Sequence, residues 1–170
     1  MVRRLLIANR GEIAIRIARA ARERGIAALG VYSEADVHAL HRRAMDESVC
    51  IGPAPARESY LDAARIVAAG KALGADAVHP GYGFLSEQAA FAEAVTGAGM
   101  RFVGPSAATL AAVGSKIEAR RRAQQLGIPV VPGYDGDDRT ARRLRTEANG
   151  SACRFSSRQA RAEADAGCAS

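Results

Sequence analysis

No tryptophan occurs in these 170 residues, aromatic side chains make up 5%, and the three cysteines, Cys50, Cys153 and Cys168, fall at no metal-binding spacing and cannot all pair. A disulfide framework and a zinc site are excluded on that ground, and the thiols read as inert. No apolar run approaches the roughly eighteen residues of a membrane span, and the amino terminus has too few consecutive apolar residues for a signal segment. The expected compartment is the cytoplasm, with no membrane partner. Three glycine signatures are also missing. Only Gly11 stands between the first strand and its helix, so there is no G-x-G-x-x-G, and neither G-x-x-x-x-G-K-[ST] nor G-x-S-x-G occurs. A phosphate-cradling nucleotide loop and a hydrolase nucleophile elbow are therefore not indicated.

Lysine is scarce too: Lys71 and Lys116 are the only ones among 24 basic residues. The net charge of +6 sits mostly in residues 139–170, where seven Arg face Glu147, Glu163 and Asp165. The remaining body is nearly neutral and has no basic stripe interleaved with aromatics, which argues against a nucleic-acid partner.

What is present is strand–helix alternation. Leu5, Leu6 and Ile7 form a short continuous apolar run, as in a parallel strand covered on both faces. After Gly11, the residues Ile13, Ala14, Ile17, Ala18 and Ala21 make one helical stripe, and Glu12, Arg16, Arg19 and Glu23 the opposite one. Asn9 is the expected helix cap, with Glu12 as its capping-box partner. Further strands are expected at 26–32, 48–51, 76–79 and 100–103. Helices are expected over 38–45, over 60–73 capped by Ser59, over 86–98, and from a Ser115–Glu118 capping box to Leu126. Short glycine loops join these elements, which predicts an α/β, Rossmann-like, doubly wound parallel sheet. Its ligand side would be the loops Asn9–Gly11, Ser33–Asp36, Pro80–Phe84 and Gly104–Ser106, beyond the carboxyl ends of the strands.

Several residues there invite a chemical reading. Glu34 and Asp36 follow the second strand, where a ribose-binding carboxylate would lie, so an oxidoreductase-type dinucleotide-binding domain stays as an alternative despite the missing glycines. His38 and His41 lie three apart, but no carboxylate or cysteine completes a ligand set and they read as surface histidines. His79 ends a strand and enters the loop Pro80-Gly81-Tyr82-Gly83-Phe84. Its two glycines allow a close approach to a ligand with Tyr82 aimed at it, or equally a tight turn with Tyr82 and Phe84 as core caps. Lys116, in the first turn of its helix, is by itself an ordinary solvated side chain.

Taken in order, LLIANRGEIAIRIARA, VYSEADVHALH, GPAPARESYL, AVHPGYGFLSEQAAFA, FVGPS and VGSKIEARRRAQQLGIPVVPGYDG closely resemble the amino terminus of biotin carboxylases, over residues 3–138. The resemblance is closer to the biotin carboxylase subunits of bacterial acetyl-CoA or propionyl-CoA carboxylases than to the wider ATP-grasp superfamily. It implies a ligase that carboxylates protein-linked biotin with bicarbonate, using ATP and Mg2+ through a carboxyphosphate intermediate. The implied organisation is a biotin carboxylase N-terminal domain over 1–113, the start of an ATP-grasp domain over 114–138, and an aberrant, disordered tail over 139–170. Matched residue by residue, Lys116 corresponds to an ATP-contacting lysine. Tyr82 and Gly83 correspond to a loop facing the carboxylation site, with His79 and Glu87 in support. Arg16, Arg19 and Glu23 correspond to a dimer-contacting helix face. The implied partners are a biotin carboxyl carrier domain, a carboxyltransferase subunit and a second copy of the chain.

The tail departs from that pattern. Where the family continues with a strand, a lysine and a glycine-rich lid, residues 149–170 read NGSACRFSSRQARAEADAGCAS. Read with the third base of each codon joined to the first two of the next, Cys153–Ser170 can encode PVLIKASAGGGGRGMRV, the family continuation. A frameshift within residues 139–150 accounts for both facts. The polypeptide is then expected to lack a complete catalytic set and a metal site, and to have little or no carboxylase activity alone. The alternative is a non-catalytic interaction module or a pseudogene product.

Overall fold

Strand β1 (Arg4–Ile7) lies at the centre of a five-stranded, all-parallel sheet of order β3-β2-β1-β4-β5, with β2 at Ala27–Tyr32, β3 at Glu47–Cys50, β4 at Ala77–His79 and β5 at Arg101–Phe102. The computed structural model describes residues 1–114, 116–131, 134 and 140–150, without the side chains of 116 and 147–150. Alternation along β1 explains why its apolar run is unbroken: Leu5 and Ile7 face one layer, Leu6 and Ala8 the other. Helix α1 (Gly11–Arg22) and α2 (Leu40–Arg43) border the first layer, where Ala14, Ala18 and Ala21 pack with Leu5, Ile7, Ala28 and Met45. Helices α3 (Ala63–Ala72) and α4 (Ala89–Gly97) fill the second, through Ile66, Ala69, Phe91 and Val95 against Leu6, Leu29 and Val78. Each fully buried Leu, Ile or Phe contributes about 1.5–3 kcal/mol, so these two layers supply the main drive for folding.

The doubly wound α/β reading holds, while several helix starts differ from expectation. Helix α3 begins at Ala63, capped by Asp62, whose Oδ1 accepts from the Arg65 amide at 3.1 Å, and not by Ser59. The buried Ser59 donates instead to the Pro55 carbonyl at 3.0 Å, and the following Tyr60 is drawn into the core, which delays the helix. Helix α4 begins three residues after Ser86, because Leu85 is buried as an anchor and two tight turns, Ser86 N–H to Gly83 O and Gln88 N–H to Leu85 O, come first. Helix α5 (Ala107–Val113) was not expected; Ser106 caps it, its Oγ accepting from the Thr109 amide at 3.2 Å.

Two compact units result, Met1–Ser115 and Lys116–Ser170. The sheet belongs wholly to the first. The second carries α6 (Lys116–Gln125) and α7 (Ala141–Gly150). Ser115, on which the expected capping box rests, lies outside the described residues. Within the stretch expected to lack order, Thr140 caps α7 through its Oγ1, 3.3 Å from the Arg143 amide, while residues 139 and 151–170 lie outside the described residues.

Candidate functional site

The order of the sheet reverses between β1 and β4, and the loops leaving these two strands flank the crevice where doubly wound folds take ligands. Here that crevice holds the side chain of Asn9, 5% exposed. Its Nδ2 donates to the carbonyls of Pro80 at 2.8 Å and Tyr82 at 2.9 Å, and its Oδ1 accepts from the Arg10 amide at 2.9 Å. Asn9 therefore does not cap α1, whose N-cap is Arg10 with no side-chain cap bond. It ties the 80–84 loop to β1. Glycine is required at 81, where φ is +69° and a Cβ would lie 2.5 Å from Asn9 Nδ2 and 2.9 Å from Ile13.

Beyond this tie the loop turns outward. Tyr82 is 65% exposed, and its hydroxyl donates to Glu12 Oε1 at 3.1 Å. Glu12 is thus a partner of Tyr82 rather than of a cap, and the bond to its carboxylate raises the phenol pKa. Gly83, with φ +65°, has open space where a Cβ would stand, so its backbone can be approached by a flat ligand. His79 Nδ1 accepts from the Gly81 amide at 3.0 Å, which places the remaining proton of the neutral ring on Nε2. Burial lowers the His79 pKa and favours that neutral form.

The loop after β2 is occupied otherwise than expected. Asp36 is 4% exposed and is no free ribose ligand. Its Oδ2 accepts from Arg10 Nε at 2.8 Å, Ser33 Oγ at 3.1 Å and Tyr60 Oη at 2.7 Å, and Arg10 pairs with Oδ1 as well. The hydrogen bond from Arg10 holds the carboxyl at about 2. Tyr60 is pushed up to about 12, by burial first and then by its bond to Asp36. The Tyr60 ring stacks on Phe84, centroids 5.2 Å apart at an interplanar angle of 10°, and Phe84 holds a φ of +43°, rare for a bulky residue. Sequence reasoning missed this cluster; the Ser33-x-x-Asp36 spacing carried the local half of the signal, and nothing in the pattern pointed to Tyr60.

An open apolar groove of about 550 Å³ runs beside α1, bordered by Ile13, Arg16, Ile17, Ala20, Tyr82 and Val103. Arg16 and Arg19 are exposed on that helix and Glu23 at its carboxyl end, where Arg19 Nε pairs with Glu23 Oε1 at 3.2 Å. Glu87 is exposed in the turn before α4. Lys116 opens α6 in the second unit, its side chain outside the described residues. The structure thus brings His79, Tyr82 and Gly83 together with Asn9 and Glu12. The expected surface pair His38 and His41 is split: His38 is exposed, but His41 is buried in α2, where burial lowers its pKa. Cys50 is exposed, and Cys153 and Cys168 lie outside the described residues.

Residues 1–110 match the family model described as biotin carboxylase, N-terminal domain. The chain is 53% identical over 136 residues to biotin carboxylase 1 of Bacillus subtilis, covering 80% of this chain and 30% of that protein. It is 50% identical over 136 residues to the propionyl-CoA carboxylase alpha chain of Ruegeria pomeroyi, covering 80% of this chain and 20% of that one. Among solved structures, the biotin carboxylase–β,γ-ATP complex of Campylobacter jejuni superposes with a TM-score of 0.80 at 43% identity, covering 88% of this chain and 34% of that one. The chain therefore spans about a third or less of the length of these relatives.

Proposed function

This chain belongs to the biotin carboxylase N-terminal domain family, and from that premise we propose that it is the amino-terminal lobe of an ATP-dependent ligase that carboxylates protein-linked biotin with bicarbonate. The observation that carries the reading is the 80–84 loop: Asn9 fastens it from beneath, and an exposed tyrosine and a glycine with open space above it face outward. Biotin, when bound, supplies the ureido nitrogen that receives the carboxyl group. Tyr82 would offer a hydroxyl oriented by Glu12, Gly83 an approachable backbone, and Glu87 a nearby carboxylate. His79 keeps the loop's first amide satisfied, so that Gly81 does not turn toward solvent.

The described residues do not fit Mg2+. Among them no group of three or more His, Cys, Asp or Glu could hold a metal ion, and Asp36 is already occupied by Arg10, Ser33 and Tyr60. Lys116 is assigned to ATP in the complete ligase, residues 114–138 to the first part of its ATP-grasp domain, and 139–170 to the product of a frame change. Arg16, Arg19 and Glu23 on α1 are assigned to contact with a second copy, with a carboxyl carrier domain and a carboxyltransferase as further partners. No helix among the described residues is long and apolar enough to cross a membrane; the complex is assigned to the cytoplasm.

The test is a titration of the 15N-labelled 170-residue chain with free biotin, paired with a continuous ATPase assay in bicarbonate. Resonance shifts confined to residues 79–87, without nucleotide turnover, are expected. Shifts spread over the sheet, no shift at saturating biotin, or ATP hydrolysis at an ordinary ligase rate would each overturn the reading.

A further inference from the structure

Three segments at the carboxyl end of the sheet converge on one carboxylate. Arg10 comes from the loop after β1, Ser33 from the loop after β2, and Tyr60 from the segment ahead of α3; all three donate to Asp36. The 80–84 loop makes no hydrogen bond to Asp36. It is reached through an aromatic intermediary, because the Tyr60 ring lies nearly parallel to Phe84 at 5.2 Å.

That ring has little freedom. Tyr60 is 2% exposed, its hydroxyl donates to Asp36 at 2.7 Å, and the same oxygen accepts from the Ser33 amide at 3.1 Å. Phe84, in contrast, occupies a left-handed backbone conformation, which a bulky residue keeps only where its surroundings over-determine it. Gly81 and Gly83 are left-handed as well, at φ +69° and +65°. Glycines change such angles cheaply and Phe84 does not, so Phe84 selects the conformation of the whole turn.

We propose that Asp36, acting through Tyr60 and Phe84, is a positioning residue that fixes the conformation of the 80–84 loop and with it the presentation of Tyr82 and Gly83. The value of that presentation for biotin rests on the reading given above, whereas the coupling stands on geometry alone. Asn9 anchors one end of the turn at Pro80 and at the Tyr82 carbonyl, and the Asp36–Tyr60–Phe84 chain anchors the other, so Gly83 lies between two fixed points and the Tyr82 side chain springs from the first.

The experiment uses the full 170-residue chain with four substitutions: Asp36→Asn, Tyr60→Phe, Phe84→Gly and Phe84→Tyr. The amide of Ser86, which donates to Gly83 O at 2.9 Å, reports the loop, and the amide of Ala8, which donates to His79 O at 2.9 Å, reports the sheet. Asp36→Asn and Phe84→Gly are expected to speed hydrogen exchange at Ser86 by about tenfold and to move the Gly83 resonance, while Ala8 keeps its protection. Tyr60→Phe, which retains the ring but frees it from Asp36, gives a smaller change of the same kind, and Phe84→Tyr, which retains the stack, behaves as the parent. Unchanged Ser86 and Gly83 in folded Asp36→Asn, or in Phe84→Gly, overturns the proposal. If Asp36→Asn does not fold, the Tyr60→Phe and Phe84→Gly pair decides. Biotin titration of the same samples separates the two readings: a loosened loop in Phe84→Gly with no biotin response in the parent sinks the biotin assignment and leaves the positioning role intact.

Discussion

Replacing Asn9 by alanine is expected to destabilise the sheet-bearing unit by about 3 kcal/mol, because three hydrogen bonds disappear at about 1 kcal/mol each. The bonds are those to Pro80 O at 2.8 Å, to Tyr82 O at 2.9 Å and from the Arg10 amide at 2.9 Å. The Pro80 carbonyl is buried, so it has no water to replace the lost donor, and that desolvation term sets the size of the effect. Asn9→Asp keeps the shape but turns an acceptor toward two carbonyl oxygens, and should cost more than alanine. Gly81→Ala drives a Cβ to 2.5 Å from Asn9 Nδ2 and 2.9 Å from Ile13 Cγ2. Asn9→Ala removes the first clash and leaves the second, so the double variant should lose less stability than the two single variants together. Urea unfolding followed by far-ultraviolet circular dichroism gives these values, the chain having no tryptophan. A loss below about 1 kcal/mol for Asn9→Ala at an unchanged denaturant slope, or strict additivity in the double variant, refutes the account of Asn9 as the tie between β1 and the loop.

The Asp36 carboxyl, held at about 2 against an ordinary 3.8, contributes stability that is fully present above pH 3.8 and is lost as the pH falls through about 2. The contribution is on the order of 2 kcal/mol; urea midpoints measured between pH 5 and pH 2 should fall more steeply for the parent than for Asp36→Asn, and parallel curves would refute the assignment. For the tail, DNA sequencing beyond codon 138 should show, in another frame, a stretch encoding PVLIKASAGGGGRGMRV, and its absence from all three frames refutes the frameshift.

The winding of the sheet was legible because it rests on the periodicity of its central elements: apolar runs at Leu5–Ile7 and in β2, and the alanine–isoleucine stripe of α1. Helix starts were less so, since a capping residue has competitors that only the tertiary fold reveals. Ser59 has the right chemistry to cap α3, yet Tyr60 beside it buries its ring and bonds Asp36, and the cap passes to Asp62. Asn9 and Glu12 show the same override. Both suit a local capping box, and both are spent on a loop some seventy residues away along the chain, Asn9 on Pro80 and Tyr82 and Glu12 on Tyr82. The candidate loop itself was legible as a glycine-flanked tyrosine. Of its two open readings, the core-cap one holds for Phe84, which packs against Tyr60, and not for Tyr82, which faces out. His41 was misjudged because a lone histidine on a four-residue helix gives no periodic cue to its burial.

An asparagine lodged at the β1–β4 reversal also bears on the design of ligands for this domain. Compounds that mimic nicotinamide or adenine dinucleotides gain their grip from a vacant slot at this place in related architectures. On this domain they meet an amide whose nitrogen and oxygen are both already bonded, so selective chemistry has to start from the outer rim, where Tyr82 and Gly83 offer a shallow footing, and not from the hollow beneath.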